Sequence, residues 1–237
     1  MINYCVIGNN WGLRLYKILK TQKKSVYLFK TNEKKCSKQY FKELKSYFQK
    51  NKISFVWIAT SPLKRFQLIN FCLNQNLNLI LEKPILLKKS QYQFLQKKIK
   101  LKKKYCFIHF EYLFLSQLKK LYLKNVKLIN MYFHHKKINK HNIDPLLNNG
   151  THLASIKLFY FKKIKNVNYF VTEGKKNERK IEIINNKKVK LIDFTKNKEK
   201  IIQKFIKYVE RIYFFKKKNK INIKFGYECS KILNKIK

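Results

Sequence analysis

The first 110 residues alternate short apolar runs with longer amphipathic, lysine-flanked segments, and that alternation leaves few folds open. INYCVIG (2–8), SVYLFK (25–30), SFVWIAT (54–60), LNLILE (77–82) and YCFIHF (105–110) are strand-length and almost uniformly apolar. Strands apolar on both faces are buried on both faces, the pattern of a parallel sheet covered by helices. Helices fit the segments between them. WGLRLYKILK spans 11–20, and within 33–51 a stripe of Tyr40, Phe41, Leu44, Tyr47 and Phe48 has helical spacing. Pro62 opens a helix to about Gln75, and Ser90 caps another to about Lys102.

Beyond residue 115 the pattern changes. A helix near 115–124 leads to an alternating strand, VKLINMYF (126–133), and a helix is expected around 151–161. NVNYFVT (166–172), RKIEII (179–184) and KVKLIDF (188–194) read as antiparallel strands, with NNKK (185–188) as a hairpin turn. Two helices, about 198–214 and 224–236, complete the sequence. The expected fold class is α/β, an N-terminal parallel sheet over 1–115 with a smaller, reduced α+β domain over 116–237 whose sheet is mostly antiparallel.

Lys+Arg is 56 against 12 Asp+Glu, a formal charge of +44. Only Arg14, Arg65, Arg179 and Arg211 among the basic residues are arginine, and Ala59 and Ala154 are the only alanines. The scarce residue types have GC-rich codons and the abundant ones AT-rich codons, so coding bias explains the charge better than an anionic partner does. A nucleic-acid binder draws on arginine for bidentate contacts, and no nucleic-acid-binding signature accompanies KLKKK (100–104) or FFKKKNK (214–220). No specific nucleic-acid partner is expected. No apolar run approaches membrane-spanning length, and the N-terminus enters a strand without a signal-peptide n-region. A cytoplasmic location is the expectation. Five scattered cysteines without C-x-x-C spacing argue against a zinc site or disulfide framework, so no metal is expected.

The first strand runs into Gly8-Asn9-Asn10-Trp11-Gly12 and then a helix. Strand, glycine turn and helix form the place where backbone N–H groups cradle a dinucleotide pyrophosphate, so the N-terminal sheet reads as Rossmann-type. The turn is G-x-x-x-G rather than G-x-G-x-x-G, and a plain structural turn is the competing reading. About 20 residues further on, an NAD site places an acid near the ribose; here stand Phe29-Lys30-Thr31-Asn32. Lys30 suits a 2′-phosphate, which favours NADP over NAD, although it is also one of many solvated lysines. Two further motifs end consecutive strands: Ile58-Ala59-Thr60-Ser61-Pro62 and Leu81-Glu82-Lys83-Pro84. Carboxyl ends of strands line the ligand crevice of an open parallel sheet.

V-x-I-A-T-x-P followed by E-K-P resembles the Gfo/Idh/MocA oxidoreductases, the group of glucose–fructose oxidoreductase and inositol dehydrogenase. Downstream, Asn148-Asn149-Gly150-Thr151-His152 is similar to the family's D-x-G-x-H. The resemblance implies hydride transfer, with NAD or NADP, to or from a sugar, polyol or nucleotide-sugar. It implies that Gly8, Asn10, Trp11 and Gly12 face the pyrophosphate, and that Thr60, Ser61, Glu82 and Lys83, with Ala59 ahead of them, line the cofactor cleft, to which Lys30 adds its place near the ribose. Lys83 and His152 become the catalytic residues, as hydrogen-bonding cation and proton-transfer group.

The chain departs from that pattern in the shortened glycine turn, in Arg65 where the family usually has histidine, in Asn148 where it has aspartate, and in Ser155 after the histidine. Asn148 implies that the acid which tunes His152 is gone. A catalytically degenerate Rossmann-fold binding protein is therefore the alternative. His109 reads as a packed core residue, His134 and His135 as substrate contacts or exposed groups, and His141 and Asp144 as neighbours able to lend an acid. An open sheet in the second domain makes a homo-oligomer plausible.

Overall fold

The computed structural model describes residues 2–31, 37–119, 121, 126–136, 143–174, 176–185, 188–195 and 200–234. The chain divides into two compact units, Met1–His109 with Ile206–Tyr227, and Phe110–Phe205 with Glu228–Lys237. The expected division at 115/116 thus shifts to the end of the fifth strand, and residues 206–227 rejoin the N-terminal unit.

In the first unit, β1 (Asn3–Ile7), β2 (Ser25–Phe29), β3 (Phe55–Ile58), β4 (Asn78–Glu82) and β5 (Cys106–His109) form a parallel sheet of order β2-β1-β3-β4-β5. This doubly wound order reverses between β1 and β3, where such sheets take ligands. The centre is wholly apolar: Val6, Ile7, Phe55, Trp57, Leu81 and Phe107 have no exposed surface. The helices α1 (Asn10–Thr21), α2 (Lys38–Lys50), α3 (Arg65–Asn74) and α4 (Lys89–Leu101) connect these strands, as the apolar spacing predicts. Pro62 opens a 3-10 turn, Pro62–Lys64, rather than the α-helix itself. Ser90 lies inside α4 and does not cap it; the Lys88 N–H donates instead to the Gln91 side chain at 3.0 Å.

The returning segment 206–227 closes the edge of β5. The Ile108 N–H donates to the Ile221 carbonyl at 2.9 Å, and the Asn219 amide donates to the Cys106 carbonyl at 2.8 Å. Covering an edge strand removes a row of unpaired backbone groups. Tyr213 meets Phe55 edge-on at 5.1 Å, and Glu210 accepts from Tyr4 Oη at 3.1 Å and from Lys24 Nζ at 2.8 Å.

The second unit begins with a 3-10 turn, Glu111–Phe114, and α5 (Ser116–Lys119). The rest of the helix expected near 115–124 falls largely outside the described residues. Its sheet has the order β7-β6-β8-β9, from β6 (Leu128–His135), β7 (Val167–Glu173), β8 (Glu178–Asn185) and β9 (Lys188–Asp193). β8 is antiparallel to both β6 and β9, whereas β7 runs parallel to β6. The intervening α6 (Pro145–Asn148) and α7 (Gly150–Tyr160) make this crossover possible; the sheet is mostly antiparallel as expected, but its NVNYFVT strand, read as antiparallel, is the parallel one. The centre of the expected NNKK hairpin turn, residues 186–187, lies outside the described residues. On one sheet face Ile129, Met131, Phe133, Ile181, Ile183 and Ile192 are buried; on the other Phe170, Val189 and Leu191 are exposed.

Helices α8 (Ile201–Phe214) and α9 (Ile223–Asn234) contribute residues to both units. Among the described residues, no helix is long and apolar enough to cross a membrane. Gly226 on α9 admits a close approach: a Cβ there would lie 2.8 Å from Cγ1 of both Ile85 and Ile108. Gly226→Val is expected to overpack this contact and to cost about 1–3 kcal/mol; a denaturant melt with an unchanged midpoint would contradict the packing described.

Candidate functional site

At the end of β1, Gly8 has φ +147°, and a Cβ would fall 2.5 Å from the Ala59 carbonyl oxygen. Only glycine fits, because the β1 turn lies directly against the end of β3. The Ala59 N–H donates to the Ile7 carbonyl at 2.8 Å. Gly12 is less constrained; a Cβ there would make ordinary contacts with Val6 and Ala59. Asn9 stands at the start of α1 yet does not cap it. Its Nδ2 donates to the Thr31 carbonyl at 2.8 Å, and its Oδ1 accepts from the Thr31 N–H at 3.1 Å. The first turn of α1 therefore keeps its N–H groups clear of a capping side chain and carries no acid. That arrangement suits an anion such as a pyrophosphate, which the N–H groups of the first turn of α1, at Asn10, Trp11 and Gly12, would hold, while the Gly8 N–H donates to the Phe29 carbonyl at 3.2 Å and Gly8 serves by its close approach. Lys30 is exposed just beyond β2.

The ends of β3, β4 and β5 meet at a buried carboxylate. Glu82 Oε1 accepts from Trp57 Nε1 at 2.9 Å and lies 2.7 Å from His109 Nδ1. Burial by itself would push the Glu82 carboxyl up. The charge and hydrogen bond of His109, the charge of Arg65 and the nearby Trp11 side chain outweigh it and hold the group below the usual carboxylate range. His109, read from sequence as core packing, is buried but belongs to this ionic cluster.

Arg65 completes the connection. Its Nη2 and Nε donate to the Thr60 carbonyl at 2.6 and 3.0 Å, and its Nη1 donates to the carbonyls of Glu82 and, at 3.1 Å, Pro84. One guanidinium thus ties the ATSP segment to the EKP segment, with Lys83 between two of the carbonyls it holds. Burial pushes Arg65 down to about 10, partly offset by the Glu82 charge, so it stays charged at neutral pH. Gly8, Asn10, Trp11, Gly12, Ala59, Thr60, Ser61, Glu82 and Lys83 are accordingly all found at the carboxyl ends of the strands of the first unit.

In the second unit, His152 lies in the first turn of α7 and is 3% exposed. Its ring stacks on Phe133 at 5.4 Å and meets Tyr112 edge-on at 4.7 Å. Glu111, which sequence reasoning did not single out, brings Oε1 to 3.8 Å from His152 Nε2. A carboxylate from another element thus faces the histidine, although position 148 is asparagine. Asn148 and Asn149 donate instead to Glu173 Oε1 on β7, at 3.3 and 2.7 Å. Ser155 Oγ donates to the His152 carbonyl at 2.7 Å, and Asp144 caps α6 by accepting from the Leu146 N–H at 2.7 Å. His134 Nδ1 lies 2.6 Å from Thr172 Oγ1. His141 lies outside the described residues.

The strand order, the uncapped α1 and the joined strand ends define the first unit as a doubly wound domain of the Rossmann class. Residues 7–110 match the GFO_IDH_MocA oxidoreductase family, NAD-binding Rossmann fold, the family that IATSP and LEKP resemble. The fold is similar to that of UDP-N-acetylglucosamine 3-dehydrogenase GnnA from Acidithiobacillus ferrooxidans, with a TM-score of 0.81 and 12% identity over 100% of this chain and 97% of that one. It is also similar to scyllo-inositol dehydrogenase from Lactobacillus casei with bound NAD(H) and scyllo-inositol, with a TM-score of 0.73 and 10% identity over 98% and 95% of the two chains. A dehydrogenase (MviM) from Clostridium difficile gives a TM-score of 0.69 at 14% identity over 99% and 98%. No curated protein matches the sequence.

Because the folded Glu82 carboxyl titrates below its unfolded value, its stabilisation is complete above roughly pH 4.3 and is lost as the pH falls through the folded value. Glu82→Gln is expected to lower stability at neutral pH by about 3–5 kcal/mol, since His109 and Arg65 lose their buried counter-charge. The variant should also lose less stability on acidification than the parent. Thermal melts across the acid range check both points; equally steep losses in the two proteins would contradict the cluster's role.

Proposed function

We propose that the protein is an NAD(P)-dependent oxidoreductase that transfers a hydride to or from a sugar, polyol or nucleotide-sugar. The observation that carries the reading is the coincidence of the family match over residues 7–110 with one set of strand ends, where Gly8, Ala59–Ser61 and Glu82–Lys83 lie. The names of two structurally similar enzymes, one acting on UDP-N-acetylglucosamine and one on scyllo-inositol, support the substrate class.

When bound, the nicotinamide supplies or accepts the hydride. The backbone of the β1 turn binds the pyrophosphate, and Lys30 offers a cation for a 2′-phosphate, which favours NADP. Lys83, held between the carbonyls that Arg65 grips, donates a hydrogen bond to the substrate oxygen and stabilises negative charge developing there. In the oxidative direction the substrate carbon gives up a hydride, its hydroxyl proton passes to His152, and a carbonyl forms. Reduction returns both. The second unit is assigned to the substrate, and its exposed sheet face bearing Phe170, Val189 and Leu191 to association with a second copy.

Calorimetric titration with NADH and NADPH tests the cofactor assignment. Binding of at least one is expected, with NADPH the tighter, and absence of both at millimolar concentration would overturn the reading. With UDP-N-acetylglucosamine and scyllo-inositol as probes, Lys83→Ala and His152→Ala are each expected to lower kcat by about 100-fold or more. Cofactor affinity should hold within about twofold. Cofactor binding without turnover of any sugar or polyol would instead favour the degenerate binding protein that Asn148 suggests.

A further inference from the structure

We infer that Glu111 is the positioning residue that orients His152 and stabilises its protonated ring, in place of an acid within the Asn148–His152 segment. The inference rests on the proposed proton-transfer role of His152. His152 is buried, and burial alone disfavours a charged imidazole, so a proton carrier at this position needs a fixed negative neighbour. Glu111 provides one, with Oε1 3.8 Å from Nε2. It sits in the first residue of the 3-10 turn Glu111–Phe114, the turn that also delivers Tyr112 against the imidazole edge. One short element therefore sets both the charge and the ring contact.

The imidazole has little rotational freedom. Phe133 stacks on it at an interplanar angle of 12°, while Tyr112 and Phe110 stand at 85° and 77°. Aromatic walls also lower the local dielectric, which strengthens the Glu111 interaction. Two further ionisable groups among the described residues approach this neighbourhood. From β8, the Arg179 guanidinium lies 5.1 Å over the Phe133 ring and 5.8 Å over that of Tyr112. From β7, Glu173 is taken up by the amides of Asn148 and Asn149 at the start of α7. Glu173 thus fixes the backbone ahead of His152, and Glu111 acts on its ring. In the proposed cycle His152 exchanges a proton with the substrate oxygen, and Glu111 remains ionised throughout.

The test is an NMR titration of the His152 ring in the full-length protein, assigned by loss of its signals in His152→Gln. Glu111→Gln is expected to lower the His152 protonation constant about tenfold, the effect of removing a carboxylate near a buried imidazole. Glu111→Asp, which keeps the charge at a longer reach, should fall between the two. It also serves as the test if Glu111→Gln does not fold, because its constant must still lie below the parent's. Glu173→Gln should leave the constant within about twofold. A constant unmoved in Glu111→Gln, or moved more by Glu173→Gln, would overturn the inference. NADH and NADPH calorimetry on the same proteins separates the two readings. Failure of the parent to bind either cofactor defeats the oxidoreductase assignment alone, and normal binding with an unmoved His152 titration defeats the role of Glu111 alone.

Discussion

The buried Glu82 carboxylate is the interaction on which the arrangement of the first unit depends. Trp57 on β3 and His109 on β5 converge on this one side chain at the end of β4. An ionised group taken out of water is stabilising only when its partners are complete. Here the completeness has a geometric result: three neighbouring strands are held in one register. Arg65 extends the same constraint through the backbone, because its donors reach carbonyls on both sides of the gap between β3 and β4. Strand ends joined this way are held by the protein's own side chains, and fixed groups act on developing charge without reorganising.

That view changes the meaning of the chain's composition. With 12 acids against 56 basic residues, every carboxylate is conspicuous. Glu210 joins Tyr4 and Lys24, Glu173 holds the two asparagines ahead of α7, Glu182 takes Tyr132 and Asn130, and Glu111 faces His152. These acids sit where defined partners receive them, while many of the described lysines are exposed. The large positive charge is a background, and the informative electrostatics lie in the few negative groups.

The fold was largely readable from the sequence because buried parallel strands announce themselves. FVWI, NLILE and CFIH are apolar on both faces, and no other common arrangement accommodates consecutive runs of that kind between amphipathic segments. The strand ends carrying Gly8, Ala59–Ser61 and Glu82–Lys83 were readable for the same reason, since motif and strand end coincide. What could not be read depends on contacts far apart in sequence. Arg65 looked like a departure from a histidine pattern, yet its partners lie up to 19 residues away. His109 looked like filling, because nothing in YCFIHF says that Glu82 lies beside it. Glu111 was missed because its histidine lies on a different element, and the parallel pairing of β7 with β6 because short alternating strands carry no sign of direction. The return of residues 206–227 to the first unit has no local signature either; it follows from the edge of β5 that the segment covers.

The central claim is that the joined strand ends of β1, β3 and β4 form a preset dinucleotide cleft. The most direct measurement is a crystal structure grown with the reduced dinucleotide. The account predicts the pyrophosphate against the backbone of Gly8–Gly12 and the nicotinamide end near Lys83, with the Glu82 and Arg65 contacts unchanged. A dinucleotide bound elsewhere, or a Glu82 cluster that breaks apart to admit it, would contradict the claim.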